Sequence, residues 1–466
     1  MGRPCHTSRP AQLPVSTNVS LYVPAVRRTR NHGRSTIRTH GLDPRGPRFQ
    51  TPHKGYHYTG QQSQRFFEGW YWRVCLPGAA NSFALIYSIE DPRADSVFSG
   101  VGAQVMGPKD GYILQYSKDT SSFWADRGRL ALGACFDAKG AEGGGDGRPD
   151  TRIVGGVLPA RKFSDRVALG FQASATFHQG NIVAAEEGAS GELPSTVRSC
   201  RWEFSIEPRS GWGPEDKQQS TAGWLSALPI FEPHWQVLMA HGEATGWIEW
   251  GDERYEFVGA PAYSEKNWGG GFPNKWIWIQ CNSFLGSPGT SVTAVGAERG
   301  LMQVDNFTEN VGLIGIHHAG QFYELNIRDS EIVWEASPWG QWKIEGRSDR
   351  YEAIIEASCE PEDGTLLRAP TADQGLAPFC KDSFAGNVRL RLWYRERNGR
   401  RGDQILDLRS DDASGAVEVG GSLLEEFGGG DDTWRVEAEM SPVVRALLAV
   451  DAPFEFLPDF LRPPGY

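Results

Sequence analysis

Residues 65–76 read RFFEGWYWRVCL, and this segment indicates the class of fold. Large apolar side chains, among them Trp70 and Trp72, stand at every second position, so an extended strand would place them on one face. The same two-residue period recurs in the segments that begin at Trp235 and Trp276. Short alternating segments separated by Gly, Pro, Asn and Asp continue along the chain, which predicts an all-β protein of the sandwich or barrel class.

Turn and helix signals support this interpretation. Gly251-Asp252 and Asn398-Gly399 each follow an alternating segment and predict two hairpin turns. The best helical signal is Ser441-Pro442 ahead of apolar residues at helical spacing, which predicts a short helix near the C-terminus. Such a helix could cover one barrel as a lid or lie on a membrane surface.

Charge is distributed unevenly along the 466 residues. Residues 1–50 hold nine Arg, no Lys and one acidic residue, Asp43, and are rich in Ser and Thr. This composition is typical of an organelle transit peptide, which we exclude from the fold. The remaining residues carry 38 basic and 57 acidic side chains, so a nucleic-acid partner is not expected.

A faint internal repeat predicts two halves. The segment 67–70, FEGW, precedes aromatic strands in the first half, and 264–268, SEKNW, does so in the second. We therefore predict two β-barrel-like domains, 51–260 and 261–466, with the short helix at the end of the second.

Motifs for metals and cofactors are missing from the sequence. The seven Cys are scattered and form no CxxC pair. His317 and His318 are adjacent, so on a strand they would point to opposite faces. The run 269–271 of three Gly lacks the Lys-Ser/Thr of a phosphate loop. No cofactor and no metal is expected.

What recurs instead is a carboxyl group among aromatic residues, at Glu68, Glu90, Asp91, Glu232, Glu249, Glu265 and Glu335. A carboxyl group in an apolar pocket stays protonated near neutral pH, and aromatic faces stabilise cations. The combination suits protonation of an alkene and protection of the resulting carbocation. Each carboxylate taken alone could equally bind a backbone N–H or an Arg, and Lys266 could pair with Glu265 and leave it ionised.

Several ordered segments resemble the tocopherol cyclase family, plastid and cyanobacterial enzymes of vitamin E synthesis. They are 51–57, 65–71, 220–225, 231–236, 245–250, 263–273, 334–335, 337–340, 367–371 and 463–465. The resemblance implies closure of the chromanol ring: the prenyl double bond of a phytyl- or solanesyl-benzoquinol is protonated, and a phenolic oxygen captures the cation. It also implies kinship with carotenoid 1,2-hydratases, a fold of two lipocalin-like barrels, and a plastid address with plastoglobules as the lipid surface.

From the polar groups that lie among aromatic residues, we predict Glu265 as the proton donor, Asn267 as its orienting partner, and His234 as the acceptor of the phenolic proton. Glu68 and Asp91 are the next candidates for the acid. The residues predicted to bind substrate and shield the cation are Trp70, Trp72, Trp235, Trp247, Trp268 and Trp276. Two alternatives stay open: a non-catalytic carrier of prenylquinones, and a hydratase that adds water to a carotenoid.

Overall fold

The computed structural model describes residues 50–62, 64–76, 81–139, 156–227, 231–301, 307–337, 339–426 and 433–449. All of them belong to one compact unit, Leu42–Tyr466. The predicted transit peptide lies outside the described residues, apart from Gln50.

Strands make up most of the described chain. In order they are β1 (Phe67–Leu76), β2 (Asn81–Glu90), β3 (Gly100–Gly107), β4 (Gly111–Ser117), β5 (Phe123–Ala125), β6 (Ala131–Ala138), β7 (Val167–Ser174), β8 (Phe177–Val183), β9 (Ser199–Ser210), β10 (Phe231–Glu232), β11 (His234–Trp250), β12 (Glu253–Gly269), β13 (Lys275–Cys281), β14 (Ser291–Leu301), β15 (Thr308–His318), β16 (Gln321–Asn326), β17 (Ser330–Ser337), β18 (Gln341–Ser348), β19 (Tyr351–Ser358), β20 (Thr365–Thr371), β21 (Gly375–Arg395), β22 (Arg401–Arg409), β23 (Gly415–Gly421) and β24 (Trp434–Ala438). The α-helices are α1 (Ala160–Arg166), α2 (Leu423–Glu426) and α3 (Pro442–Ala449), and 3-10 helices lie at Pro108–Asp110, Thr120–Ser122 and Trp224–Ala227.

The strands form two sheets in which the paired strands are antiparallel. The first has the order β4-β3-β2-β1-β12-β11-β9-β8-β7-β6-β5. The second has the order β16-β15-β14-β13-β23-β21-β19-β18-β17-β24, with β10 on β14 and with β20 and β22 on β21. Most paired strands are consecutive in the chain, as expected when short connections join antiparallel strands.

Each sheet curls around its own core. In the first, Tyr87 on β2 stacks on Phe171 on β7 with ring centroids 4.1 Å apart, although five strands lie between them in the sheet order. In the second, Gly296 on β14 allows the ring of Trp334 on β17 to approach, since a Cβ at Gly296 would come within 2.3 Å of that ring. The predicted all-β, lipocalin-like fold of two halves is confirmed.

Apart from the short strand β10, which already pairs with β14 of the second sheet, the chain passes from the first sheet to the second in residues 270–274. The predicted domain division at residue 260 falls inside β12, which continues to Gly269 and pairs with β1 and β11. Gly251-Asp252 and Asn398-Gly399 form the predicted hairpin turns. No helix within the described residues is both long and apolar enough to cross a bilayer.

The predicted C-terminal helix is confirmed as α3. The backbone N–H of Val444 donates to Ser441 Oγ at 3.2 Å, so Ser441 caps the first turn as its position suggested. Val444 lies in an apolar cluster with Phe231 and Leu301 of the second sheet. The helix therefore packs on the protein, as the lid interpretation requires.

Strand alternation at the contact between the sheets positions the site. On β12, Tyr263 lies in the cluster between the two sheets, and Glu265 and Asn267 line a cavity there. The intervening Lys266 lies over the ring of Trp70, inside the first sheet. Alternate residues of β12 thus face the cavity between the sheets, whereas Lys266 between them faces the core of the first sheet.

Candidate active site

A cavity with predominantly apolar walls lies between the two halves. Its empty space measures about 1160 Å³, part of which is open to solvent. The walls come from β11 and β12 of the first sheet, from β13, β14, β15 and β23 of the second, and from α3. The aromatic side chains in these walls are Phe231, Trp235, Phe272, Trp276 and Trp278. A long apolar ligand would be surrounded by π faces here.

Glu265 is the acid that this cavity presents. Burial raises the pKa of its carboxyl to about 7, even though the hydroxyl of Tyr263 donates to Oε2 at 2.5 Å and so favours the charged form. Negative charge on Glu418 adds to the rise. Within the described residues Glu265 forms no ion pair with a Lys, Arg or His. Glu265 can therefore hold a proton near neutral pH and release it into the cavity.

Lys266 pairs with Glu68 and not with Glu265. The Lys266 ammonium donates to Glu68 Oε1, and both side chains are fully buried. This ammonium and His57 lower the pKa of Glu68 in spite of its burial. Glu68 is thus ionised and faces the interior of the first sheet, so the structure does not support it as the acid. The alternative in which Lys266 would ionise Glu265 is wrong, because the two side chains point to opposite faces of β12.

Asp91 lies at the end of β2, away from the cavity walls. Its Oδ1 accepts the backbone N–H of Phe66 at 2.9 Å, and its Oδ2 lies 3.9 Å from Arg65 Nη1. Phe66 in turn accepts the N–H of Asp91 through its carbonyl at 2.8 Å. These bonds hold the residues just before β1 against the end of β2. Asp91 therefore has a structural role, in which its carboxylate binds a backbone N–H and an Arg.

His234 lines the cavity as a neutral imidazole. Its ring stacks on Trp268 with centroids 5.0 Å apart and planes 6° from parallel. Burial, followed by the nearby His57 and Arg299, lowers its pKa to about 4. Its Nδ1 is buried and has no hydrogen-bond partner within the described residues. A neutral, unengaged ring nitrogen can accept a proton.

Comparison with known proteins identifies the family. The family described as "Tocopherol cyclase-like" matches residues 64–421. A "Probable tocopherol cyclase, chloroplastic" of Oryza sativa subsp. japonica is 43% identical over 436 residues, 91% of this chain and 88% of its own length. A "Tocopherol cyclase, chloroplastic" of Zea mays is also 43% identical, over 438 residues and with the same coverage. The chain belongs to the tocopherol cyclase family. The predicted membership of this enzyme family is confirmed.

Among solved structures, one titled as that of CghA covers 81% of this chain and 97% of its own, with 11% identity and a TM-score of 0.45. A likeness of this size carries no argument about the tocopherol cyclase site.

The structure separates the predicted Trp residues of this tocopherol cyclase family member into three groups. Trp235 and Trp276 line the cavity. Trp70 and Trp72 belong to the core of the first sheet, and Trp247 lies at the surface over Arg201 and Arg254, so these three do not face the cavity. The Trp268 ring stacks against that of His57, with centroids 4.0 Å apart, and also against that of His234. Trp268 thus helps to position His234.

Sequence reasoning missed Glu418, Asp382 and Trp278. Glu418 lines the cavity, and one of its oxygen atoms, one oxygen of Asp382 and the sulfur of Cys380 lie within 4.8 Å of one another. This is the one group in the described chain whose side chains could together hold a metal ion. The segment 415–421, GAVEVGG, held a usable signal, because a lone Glu in an apolar alternating strand is a buried charge that needs an explanation.

Proposed function

We propose that this protein closes the chromanol ring of a prenyl-substituted benzoquinol in the cavity between the sheets, with Glu265 as the proton donor. Tocopherol cyclisation is the activity named for the chain's relatives in rice and maize. The observation that carries the proposal is a buried carboxyl group with a pKa of about 7 in an aromatic cavity, unpaired with any described cation.

The reaction conserves all atoms. Glu265 transfers its proton to the less substituted carbon of the prenyl double bond, which leaves a tertiary cation. The phenolic oxygen forms the new C–O bond to the tertiary cationic carbon, and the phenolic proton passes to His234. Exchange with solvent then returns one proton to Glu265 and removes one from His234, so the overall reaction is an isomerisation.

The walls account for the remaining requirements. Trp235, Trp276 and Trp278 present π faces that stabilise positive charge while excluding water, which would otherwise capture the cation as an alcohol. Asn267 lies two residues from Glu265 on the same face of β12 and orients the acid or the quinol hydroxyl.

The substrate class and the location follow from the family. The substrate is a prenylquinol, and the relatives are named as chloroplastic proteins, which supports a plastid location. We propose that the protein meets its lipid substrate at the surface of plastoglobules or of a plastid membrane, with no nucleic-acid partner.

The test is conversion of a reduced phytylbenzoquinol by the purified full chain, with products separated by chromatography. Wild-type protein is expected to form the chromanol, and Glu265→Gln is expected to lose about 10²–10⁴-fold in kcat, the usual contribution of a general acid. The matched control is Glu335→Gln, the same change at a surface carboxylate that pairs with Arg435, and it is expected to keep wild-type activity.

Three results would contradict the proposal. Stoichiometric binding of quinol and chromanol without conversion would favour a carrier. A tertiary alcohol in place of the ring would favour a hydratase. Wild-type turnover by a folded Glu265→Gln variant would show that another group is the acid.

A further inference from the structure

Two carboxyl groups that lie side by side, one fully buried and one partly buried, adjoin the cavity. Asp382 on β21 and Glu418 on β23 are direct cross-strand partners. Asp382 is fully buried, and Glu418 lines the cavity beside Trp278, its partner in register on β13. One oxygen of each carboxyl group lies within 4.8 Å of one oxygen of the other.

Neither carboxyl forms an ion pair within the described residues. Both oxygens of Asp382 are buried and lack a hydrogen-bond partner there. Glu418 differs, since Trp276 Nε1 donates a hydrogen bond to its Oε1. Two buried carboxylates at this separation do not both stay ionised, so a proton resides on the pair. Because Glu418 accepts a hydrogen bond from Trp276 and Asp382 accepts none within the described residues, the remaining negative charge is more stable on Glu418.

The surroundings agree with this distribution. Burial raises the pKa of Asp382 well above its ordinary value, and the charge of Glu418 raises it further. Burial also raises the pKa of Glu418, against the effects of Asp382 and Trp276. The other titratable or charged groups that face the pair are Tyr71 and Arg73 on β1, Glu265 on β12 and Cys380 on β21. Arg73 is the positive group among them, and it donates to Gln280 at 2.7 Å and to Ser82 at 3.1 Å.

We propose that Asp382 and Glu418 share a single proton, and that the negative charge left on Glu418 keeps Glu265 protonated and stabilises the cation formed from the prenyl chain. This inference rests on the proposed function and adds two residues to it. Glu418 faces the reacting atoms, whereas Asp382 is a positioning residue that acts through Glu418.

The physical advantage is electrostatic. A fixed negative charge in a cavity with apolar walls interacts more strongly with a nearby cation than it would in water. The same charge adds to the effect of burial, which is the main reason why the pKa of Glu265 is raised and the group remains an acid. One buried charge therefore supports both the proton transfer and the intermediate that follows.

The first experiment compares pH profiles of kcat for the wild type, Glu418→Gln, Asp382→Asn and the surface control Glu335→Gln. Glu418→Gln is expected to lose about 100-fold in kcat, as for removal of one fixed electrostatic group, and its basic limb moves to lower pH by about one unit. Asp382→Asn mimics the protonated carboxyl and can still donate to Glu418, so its basic limb stays in place and its kcat falls less than about tenfold. A wild-type profile for a folded Glu418→Gln, or an equal loss in Asp382→Asn, would overturn the proposal.

The second experiment needs no turnover. The infrared carbonyl band of a protonated carboxylic acid is expected in the wild type at neutral pH, with one component lost in Asp382→Asn and another in Glu265→Gln. If the Asp382→Asn variant shows that no component of the band belongs to Asp382, the proposal of a shared proton is wrong. It is also wrong if the wild type binds a divalent metal ion stoichiometrically and either Asp382→Asn or Glu418→Gln abolishes that binding. If the wild type forms no chromanol, the proposed function fails, while this measurement still decides whether the pair holds a proton.

Discussion

Replacement of Lys266 by Met tests the buried ion pair that adjoins the site. The ammonium donates to Glu68, to the carbonyl of Gly55 at 2.7 Å and to His57 Nδ1 at 3.1 Å, and both charged side chains are fully buried. In Lys266→Met, Glu68 keeps the backbone N–H of His57 at 2.8 Å and loses its countercharge. Breaking one partner of a buried pair costs about 3–5 kcal/mol of unfolding free energy.

The cost depends on pH with a definite sign. In the wild type the pKa of Glu68 lies below 4.5, so the pair contributes fully above that pH and its contribution is lost as pH falls through the folded pKa. In Lys266→Met the isolated carboxyl takes up a proton more readily, so its penalty grows as pH rises above 4.5. The variant's deficit relative to wild type is therefore larger at pH 8 than at pH 5.

The assay is urea denaturation followed by Trp fluorescence at both pH values. The double variant Glu68→Gln/Lys266→Met is expected to recover most of the loss, because it leaves no buried charge unpaired. Lys343→Met is the matched control, since its partner Glu345 lies at a partly exposed site, and it is expected to cost less than about 1 kcal/mol. A deficit below about 1 kcal/mol at pH 8, with no recovery in the double variant, would refute the reasoning.

Three further outcomes are expected. Turnover should fall as pH rises through about 7, because Glu265 then loses the proton it donates, and a rate that stays level well above this pH would contradict its role. His234→Phe should keep the stacking on Trp268 but lower kcat by about 10²-fold through loss of the proton acceptor, with an unchanged midpoint of thermal unfolding, and a wild-type kcat would exclude His234. Ser441→Ala should remove the cap of α3 and lower the free energy of unfolding by about 1 kcal/mol, as measured by calorimetry. It should also raise KM more than it lowers kcat, because α3 forms part of the cavity wall. An unchanged KM would show that α3 does not close the cavity.

The two-residue period of the sequence predicted the strands and the faces of β1 correctly. It places Trp70 and Trp72 on one side, and the structure buries both in the first sheet. The same alternation separates Glu265 from Lys266 on β12, although the pairing of these two residues had stayed open as an alternative. Such predictions succeed because alternation is a local property of the backbone.

Partners across the sheets could not be predicted in this way. Glu68 and Lys266 are 198 residues apart, and only the pairing of β1 with β12 brings them together. Likewise, the cavity is built where β12 of one half meets β23 of the other, so the contribution of Glu418 depends on how two curled sheets pack. Alternation identifies which residues are buried but not which buried surface they share.

The most direct measurement of the mechanism is a reaction in heavy water with a quinol whose carbon-bound hydrogens are all protium. Protonation of the alkene by a solvent-exchanged acid predicts one carbon-bound deuterium per chromanol, next to the new C–O bond, as seen by mass spectrometry and NMR. A chromanol formed enzymatically with no carbon-bound deuterium would contradict a carboxylic acid donor in this cavity.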